Sequence, residues 1–284
     1  GKLETERNSH FSVGVVRGST EYICNSSWVR IIKKPTVKAT VDDNGLRISW
    51  DGSSSKYTVY RKTSADGKWQ ALKEVQSKYY YDVSAEHGKT YYYTVATEEG
   101  VKDENGIKVT YIKPVKISGV SLGKKSIELR WKKSSAADYY IVYKKVNGKW
   151  KQVYTTKNAK TVKYTDKNVK SGKKYRYRIC AVKDGVKSEY AYQNVSFVSA
   201  PTNLKATAVS NGVKLTFNEV KGADKYIVYR KSGNGKYKKL KTLKKSTTSY
   251  TDKNIKKGVK YTYYVKAYNS PRYSKASSKV SYKK

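Results

Sequence analysis

Apolar and polar residues alternate in short runs along most of the chain, and this period of two is the pattern of half-buried β-strands. The run Gly45–Trp50, for example, places Leu46, Ile48 and Trp50 on one face. Turn-forming residues separate the runs, such as Asp66-Gly67, a dipeptide typical of tight hairpins. Residues 35–113 contain seven such runs and no stretch with helical period. We therefore predict an all-β chain built from two-sheet antiparallel sandwiches.

One strand occurs three times. The sequence KYTVYRK at Lys56–Lys62 returns as YIVYKK at Tyr140–Lys145 and as KYIVYRK at Lys225–Lys231, each time with similar flanking strands. The period, about 80–87 residues, is too long for a solenoid repeat and long enough for a separate core. We predict three tandem domains: repeat 1 (residues 35–113), repeat 2 (114–200) and repeat 3 (201–284). Prolines at their starts leave short connections, which predict an elongated chain with limited bending.

The segment before repeat 1, residues 1–34, is harder to assign. His10–Gly18 and Ser27–Pro35 resemble the last two strands of repeat 2, so we interpret the segment as the end of a truncated preceding repeat. The alternative is an N-terminal extension whose likeness is chance. A lone hairpin is marginally stable in water. We expect it to dock on repeat 1, to pair with another copy of the chain, or to be poorly ordered.

Alternation also assigns faces within the strand near the end of each repeat. The residues predicted to point into the core are Tyr91, Tyr93 and Val95, then Tyr175, Tyr177 and Ile179, and then Tyr261, Tyr263 and Val265. Those between them, such as Arg176, Arg178 and Cys180, are predicted to face water. Trp50, Trp131 and Phe217 end the second strand and are predicted core residues. Gly88, Gly172 and Gly258 each precede the first Tyr by three residues, which predicts a tyrosine corner.

These features together resemble fibronectin type III domains, in the form common in secreted and surface proteins of Gram-positive gut bacteria. The resemblance is carried by the leading Pro, the core Trp or Phe, the Y-x-V-Y-[RK]-K strand, G-K-[WY], Y-T-D and G-x-x-Y-x-Y. It covers Pro35 to Lys284. It implies three immunoglobulin-like sandwiches and an extracellular or cell-surface spacer, display or adhesion module rather than an enzyme.

Charge is distributed very unevenly along the chain. The net charge is +39, yet repeat 1 has 12 basic and 11 acidic residues, whereas repeat 2 has 21 and 5 and repeat 3 has 22 and 3. Such a field attracts polyanions. The basic runs Lys167–Lys174 and Lys236–Lys245 could meet a cell-wall polymer such as teichoic acid, or anionic lipid headgroups. We expect no nucleic acid partner, since the resemblance implies an extracellular place. The simpler interpretation is a solvated, lysine-rich surface.

Candidate chemistry is sparse. The two histidines, His10 and His87, lie in different segments and fit neither a metal cluster nor a catalytic triad. Asp82, Asp166 and Asp252 occur once per repeat, which indicates a turn or cap rather than an acid catalyst. We therefore predict no catalytic residues, no metal site and no cofactor. The two cysteines, Cys24 and Cys180, do not make a disulfide framework, although a bridge between them stays possible.

Trp69, Trp150 and Tyr237 occupy one equivalent position, after a Gly-Lys turn on a short strand at a sheet edge. An aromatic ring there can stack on a sugar or on an apolar patch of a partner. The alternative is that each ring covers the edge of its own sandwich.

Two functional hypotheses follow. The first is a non-catalytic spacer or adhesion region of a bacterial surface or secreted protein, with another surface protein as a partner. The second is a module that binds a glycan or an anionic cell-wall polymer through the three aromatic residues and the basic surface. Because the chain begins with Gly1 and contains no Met, we expect it to be a fragment of a longer protein. No apolar run is long enough to span a membrane.

Overall fold

The computed structural model describes residues 20–25, 28–42 and 44–284, and it describes side chains from residue 32 onward. Within these ranges the chain forms strands, turns and loops and contains no helix. The all-β prediction is therefore confirmed. No described segment forms an apolar helix of membrane-spanning length.

The N-terminal hairpin consists of β1 (Thr20–Asn25) and β2 (Trp28–Lys33), which pair antiparallel from Asn25↔Trp28 to Thr20↔Lys33. The second strand agrees with the prediction. Its partner differs, because Thr20–Asn25 falls in the predicted loop, whereas the predicted strand at residues 10–18 lies outside the described residues. The register pairs Tyr22 with Ile31 and Cys24 with Val29, so apolar residues of the predicted loop form the strand beside β2. Ile32 is buried.

Repeat 1 is a sandwich of a three-stranded and a four-stranded antiparallel sheet, with orders β3-β4-β7 and β6-β5-β8-β9. Its strands are β3 (Val37–Asp42), β4 (Gly45–Trp50), β5 (Tyr57–Lys62), β6 (Gln70–Val75), β7 (Tyr79–Asp82), β8 (Thr90–Thr97) and β9 (Ile107–Thr110). All seven predicted strands are present.

Repeat 2 has the same two sheets, β10-β11-β14 and β13-β12-β15, with β16 and β17 also paired to β15. Its strands are β10 (Ile117–Leu122), β11 (Ile127–Trp131), β12 (Tyr139–Val146), β13 (Lys149–Thr155), β14 (Lys163–Asp166), β15 (Lys173–Lys183), β16 (Val186–Lys187) and β17 (Ala191–Phe197).

Repeat 3 has the orders β18-β19-β22 and β21-β20-β23, with β24 and β25 paired to β23. Its strands are β18 (Lys205–Val209), β19 (Gly212–Thr216), β20 (Lys225–Ser232), β21 (Lys238–Lys244), β22 (Ser249–Asp252), β23 (Lys260–Asn269), β24 (Arg272–Tyr273) and β25 (Val280–Lys283). Every sheet that contains strands from β3 to β25 is thus made from strands of one repeat, which agrees with the tandem arrangement that the periodicity predicts.

The core of each sandwich is aromatic, as alternation predicts. Trp50, Trp131 and Phe217 are buried, and Trp50 packs edge-on against Tyr57 with ring centroids 5.5 Å apart. Phe217 packs in the same way against Tyr226, at 4.9 Å. Of the nine predicted inward residues of β8, β15 and β23, eight are buried and Tyr175 is half-buried. Burial of such side chains contributes roughly 1.5–3 kcal/mol each.

Cys180 contradicts the assignment of faces. It was predicted to face water, and it is fully buried. Alternation assumes that only the inner side of a sheet is covered, but the outer side is covered here as well. Ile141 and Tyr143, which lie on the outer side of the neighbouring β12, are buried together with Cys180. The Cys24 side chain lies outside the described part of the chain, so the Cys24–Cys180 bridge is an untested alternative.

The chain divides into two compact units, and the division passes through repeat 2. The first unit contains repeat 1 with residues 134–140 and 180–190, and the second contains residues 116–133, 141–179 and 191–284. Two segments of repeat 2, each containing part of a strand, are therefore grouped with repeat 1, whereas the rest of repeat 2 is grouped with repeat 3. The predicted domain boundaries at residues 34, 113 and 200 stay a prediction.

Candidate functional site

The three predicted aromatic residues lie at equivalent places, each beside an edge strand of the larger sheet. Trp69 directly precedes β6, Trp150 lies in β13, and Tyr237 directly precedes β21. All three side chains are half-buried. The structure therefore gives each ring a partly open surface, and each ring has contacts within its own repeat.

Trp69 packs on its own sandwich. Its Nε1 donates to the carbonyl oxygen of Glu104 at 3.3 Å, and a Cβ on Gly106 would come within 2.6 Å of its ring. Lys62 Nζ lies over the ring, 4.6 Å from its centroid, which is a cation–π geometry. These contacts agree with the interpretation that Trp69 covers the edge of repeat 1.

Trp150 carries cations and another aromatic ring. The Arg178 guanidinium lies 4.8 Å from its ring centroid, and Tyr192 packs at 5.9 Å. Arg178 also lies 4.9 Å from the centroid of Tyr143. Arg178 is half-buried for this reason, although its alternating position predicted exposure. Tyr192 is 58% exposed, so part of this cluster faces solvent.

Tyr237 belongs to a larger cluster. Its ring packs 4.7 Å from Tyr264, and Tyr264 stacks on Tyr229, also at 4.7 Å with an interplanar angle of 19°. Lys231 and Lys279 place Nζ 5.6 Å and 5.5 Å from the Tyr237 centroid. The sequence analysis identified Tyr237 but missed Tyr229 and Tyr264. The available signal was the adjacent pair Tyr263-Tyr264, which places one tyrosine on each side of the sheet.

A buried acidic residue in each repeat holds a hydrogen-bonded network. In repeat 1 the Tyr93 hydroxyl donates to Asp82 Oδ2 at 2.7 Å, and Arg61 Nη1 donates to the same oxygen at 2.8 Å. The equivalent sets are Tyr177, Asp166 and Lys144 in repeat 2, and Tyr263, Asp252 and Arg230 in repeat 3. Asp82, Asp166 and Asp252 are all buried. Each carboxylate is compensated by a cation and a tyrosine, as a buried charge requires.

The electrostatics of this network identify it as structural. Burial opposes ionisation of Asp82, but hydrogen bonds from Tyr93, Ser84 and Arg61 outweigh that effect and hold its pKa below the usual value. Burial first, and then the neighbouring carboxylate, raises the pKa of Tyr93, Tyr177 and Tyr263. In repeat 1, an ionised Asp82 beside a protonated Tyr93 therefore offers no group that exchanges protons near neutral pH.

The same aspartates also form turns, which confirms the prediction for them. Asp82 Oδ1 accepts from the Ser84 amide at 3.0 Å, Asp166 Oδ1 from the Asn168 amide at 2.8 Å, and Asp252 Oδ1 from the Asn254 amide at 3.1 Å. Each carboxylate therefore joins the loop after a short strand to the sandwich core. This double use explains why one aspartate occurs per repeat.

The tyrosine corners are present in all three repeats. The hydroxyl of Tyr91 accepts from the Glu86 amide at 2.8 Å. The hydroxyls of Tyr175 and Tyr261 accept from the amides of Lys170 and Lys256 at 2.6 Å and 3.1 Å. The corner glycines have positive φ, as at Gly88 (+91°), so the turn needs a residue without Cβ.

These corners also form the joints between consecutive repeats. A Cβ on Gly88 would lie 2.8 Å from Ala136 Cβ, in the loop before β12. His87 Nδ1 lies 3.2 Å from Ser135 Oγ in that loop, and burial lowers the His87 pKa. Between repeats 2 and 3, a Cβ on Gly222 would lie 2.4 Å from Gly172 Cα. The two joints thus use equivalent positions, and the loop that carries His87 contacts the loop before β12.

No group of three or more metal-binding side chains lies close together among the described residues.

One family profile and several solved structures are similar to this chain. The profile of the family "Fibronectin type III domain" matches residues 199–282. The chain is similar to the FN1–FN3 domains of chicken CNTN1, at 16% identity and TM-score 0.34, over 88% of this chain and 99% of that one. It is similar to a two-domain fibronectin type III segment of chicken tenascin, at 17% identity and TM-score 0.34, over 60% and 97% of the two chains.

A bacterial structure, an Fn3-like protein from Clostridium thermocellum, is 35% identical over 28% of this chain and 86% of its own, with TM-score 0.26. No curated protein matches the chain. The family match covers repeat 3, and repeats 1 and 2 have the same sheet orders and the same corners and acidic networks. Residues 199–282 are therefore a fibronectin type III domain, and the chain is a tandem array of sandwiches of this fold.

Proposed function

We propose that the chain is a non-catalytic spacer or adhesion region of a secreted or surface-exposed bacterial protein. The observation that carries this proposal is the pair of equivalent joints. At Gly88–Ala136 and at Gly172–Gly222, one repeat meets the loop of the next through residues too small to hold the backbones apart. Such close contact limits bending, and a spacer must transmit position and load along the chain.

The hydrogen bonding of the buried titratable groups supports the same function. The clusters of titratable groups in the cores are the Tyr–Asp–Arg and Tyr–Asp–Lys networks, and their hydrogen bonds are used within the sandwich. Fibronectin type III domains are generally non-catalytic. The bacterial and extracellular setting is inferred from the resemblance in sequence.

Stretching single molecules of the full chain tests the spacer function. We expect three unfolding steps of similar contour length, because the three repeats have similar lengths and separate cores. Unfolding in one step at negligible force would contradict the proposal.

Antibody labelling of intact source cells tests the proposed surface location. Labelling only after lysis would count against that location.

A second candidate function is binding to a glycan or an anionic cell-wall polymer. Its specific support is the combination of half-buried aromatic rings and cations at Trp150 and Tyr237, in the two repeats that carry nearly all the net charge. Co-sedimentation with purified Gram-positive cell walls, at low and high salt, tests this candidate. Absence of retention at low salt would remove it and leave the spacer function unaffected.

A further inference from the structure

The larger sheet of repeat 3 has two very different sides. The inner side carries the core residues Tyr226, Val228, Tyr263 and Val265, all buried. Alternation turns their neighbours to the outer side. There Tyr229 lies opposite Tyr264, across strands β20 and β23.

Aromatic rings continue along this outer side. Lys225 lies opposite Tyr268, and Tyr268 lies opposite Tyr273 on β24. The Tyr268 and Tyr273 rings are 4.7 Å apart, and so are the Tyr229 and Tyr264 rings. We call this surface the tyrosine–lysine face; its members are Tyr229, Tyr237, Tyr264, Tyr268, Tyr273 and the lysines that contact them.

Lysines lie against these rings. Lys225 Nζ is 4.5 Å from the Tyr268 centroid, and Lys266 Nζ is 5.8 Å from Tyr229 and 6.0 Å from Tyr264. No acidic side chain shares an ion pair with these lysines in the structure described, where Asp252 pairs with Arg230 on the inner side. The face therefore carries positive charge that its own repeat does not neutralise.

The equivalent face of repeat 1 is covered at the positions that correspond to Tyr264 and Lys266. Thr94 and Ala96, the counterparts of Tyr264 and Lys266, are fully buried or nearly so, because the segment 98–106 folds over them. In that segment Val101 is buried, and the Asp103 carbonyl accepts from Thr94 Oγ1 at 2.6 Å. In repeat 3 Tyr264 and Lys266 are half-buried, and Tyr273 is 49% exposed.

The charge of the two faces differs in the same direction. The segment that covers repeat 1 contributes four acidic residues, Glu98, Glu99, Asp103 and Glu104. Repeat 3 contains only three acidic residues against 22 basic ones. An anionic ligand would be repelled by the first face and attracted by the second.

We propose that the tyrosine–lysine face binds an anionic polysaccharide. Tyrosine combines an apolar ring, which can pack on the C–H face of a sugar, with a hydroxyl that can donate to sugar or acidic oxygens. The lysines supply the charge that an acidic polymer requires. A charged polymer without sugar rings would contact the lysines alone, and a neutral glycan would contact the tyrosine rings alone.

The protonation of the face suits this ligand. Burial, and then the neighbouring tyrosines, raises the pKa of Tyr229 and Tyr264, so both hydroxyls stay protonated donors at neutral pH. The inference rests on the second candidate function and makes it specific. It assigns binding to repeat 3 and leaves out Trp69, which is engaged with Glu104 and Gly106 of its own repeat.

Affinity measurements on the full chain with three probes test the proposal. Dextran sulfate has sugar rings and negative charge, dextran has sugar rings without charge, and polyphosphate has negative charge without sugar rings. We expect the tightest binding to dextran sulfate, weakening as salt increases. The double variant Tyr229→Leu/Tyr264→Leu should lose about 10-fold in affinity for dextran sulfate and little for polyphosphate.

Two further variants keep the test informative if the double tyrosine variant is unstable. Lys225→Gln/Lys266→Gln leaves the rings in place and should weaken binding to both anionic probes by about 10-fold at low salt. Trp69→Leu in repeat 1 is the matched control and should bind dextran sulfate like the wild type. Unfolding curves establish that each variant is folded at the temperature of the assay.

The outcomes separate this inference from the function on which it rests. Wild-type binding that Trp69→Leu weakens and the repeat 3 variants do not would overturn the inference and support the three equivalent aromatic residues instead. Equal binding of polyphosphate and dextran sulfate, unchanged by the tyrosine variant, would also overturn it. Failure of the wild type to bind dextran sulfate and cell walls at low salt would remove the binding function itself.

Discussion

Repeat 1 and repeat 3 share an interior and differ on the outside of the larger sheet. Both bury an aspartate that accepts from a tyrosine and an arginine, at 2.7–2.8 Å in each case. Both have a strand irregularity at the same place in the repeated strand, between Val59 and Tyr60 and between Val228 and Tyr229. Yet an acidic segment buries Thr94 and Ala96 on the outer face of repeat 1, whereas Tyr264 and Lys266 are only half-buried at the same positions of repeat 3.

This difference shows which part of the sandwich is free to vary. The inner side must fill one closed space and satisfy one buried charge, so its residue types recur in every repeat. The outer side has no such shared requirement, because a covering segment buries Thr94 in repeat 1 whereas Tyr264 is only half-buried in repeat 3. Differences in function between the repeats are therefore expected on the outer side, where Thr94 in repeat 1 corresponds to Tyr264 in repeat 3.

The largest expected effect tests the shared interior. Asp82→Ala and Asp252→Ala each leave a partly buried arginine and a buried tyrosine hydroxyl without their acceptor, so we expect each to destabilise its own repeat by about 3–5 kcal/mol. Urea unfolding curves and calorimetry of each variant measure this change in the free energy of unfolding. The exposed turn residue Asp66→Ala is the control. A cost below about 1 kcal/mol in only one of the two repeats would show that the networks are not equivalent.

A second prediction compares a corner that contacts another repeat with one that does not. Gly172 and Gly258 have nearly the same φ, +79° and +80°. A Cβ on Gly172 would meet Lys221 Cγ at 2.9 Å and its backbone at 3.2 Å, whereas a Cβ on Gly258 meets no atom within 4 Å. We expect Gly172→Ala to cost about 2–4 kcal/mol and Gly258→Ala about 1–2 kcal/mol, by thermal unfolding. Equal costs would mean that the joint tolerates a methyl group.

The third prediction concerns the segment that closes repeat 1. Val101 is buried over the outer face, so Val101→Ala should destabilise repeat 1 by about 1–2 kcal/mol. It should also speed amide hydrogen exchange along β8. The exposed Val83→Ala serves as the control. An unchanged exchange rate would indicate that the segment does not protect this face.

The smallest expected effect is a dependence on pH in repeat 1. The pKa of Asp82 in the folded protein is below its ordinary value of 3.8. The unfolded state therefore binds more protons in acid, and the stabilisation from Asp82 is complete above this value and is lost as the pH falls through the lower folded pKa. Tyr93→Phe removes one hydrogen bond that lowers this pKa and should reduce the loss. Unfolding curves between pH 2 and 6 would check it, and a variant with the wild-type slope would contradict this role of Tyr93.

The sequence by itself determined the repeat, the seven strands of repeat 1 and the inner faces. A period of two along a strand that must bury one side leaves little freedom, so Tyr93, Tyr263 and Trp50 could be assigned before any coordinates. The corner at Gly88 could be predicted for a similar reason, because it depends on a glycine and on a tyrosine three residues later, which are both local features.

Only the tertiary structure decided what covers the second side of each sheet. Cys180 is buried and Lys266 is half-buried although they occupy equivalent alternating positions, because burial there depends on loops that pack from elsewhere in the chain. The joints at Ala136 and Gly222 and the clustering of Tyr229 with Tyr264 likewise arise from contacts between residues distant in sequence. Local periodicity fixes the direction of a side chain, but whether that direction leads to water is set by whichever distant segment packs there.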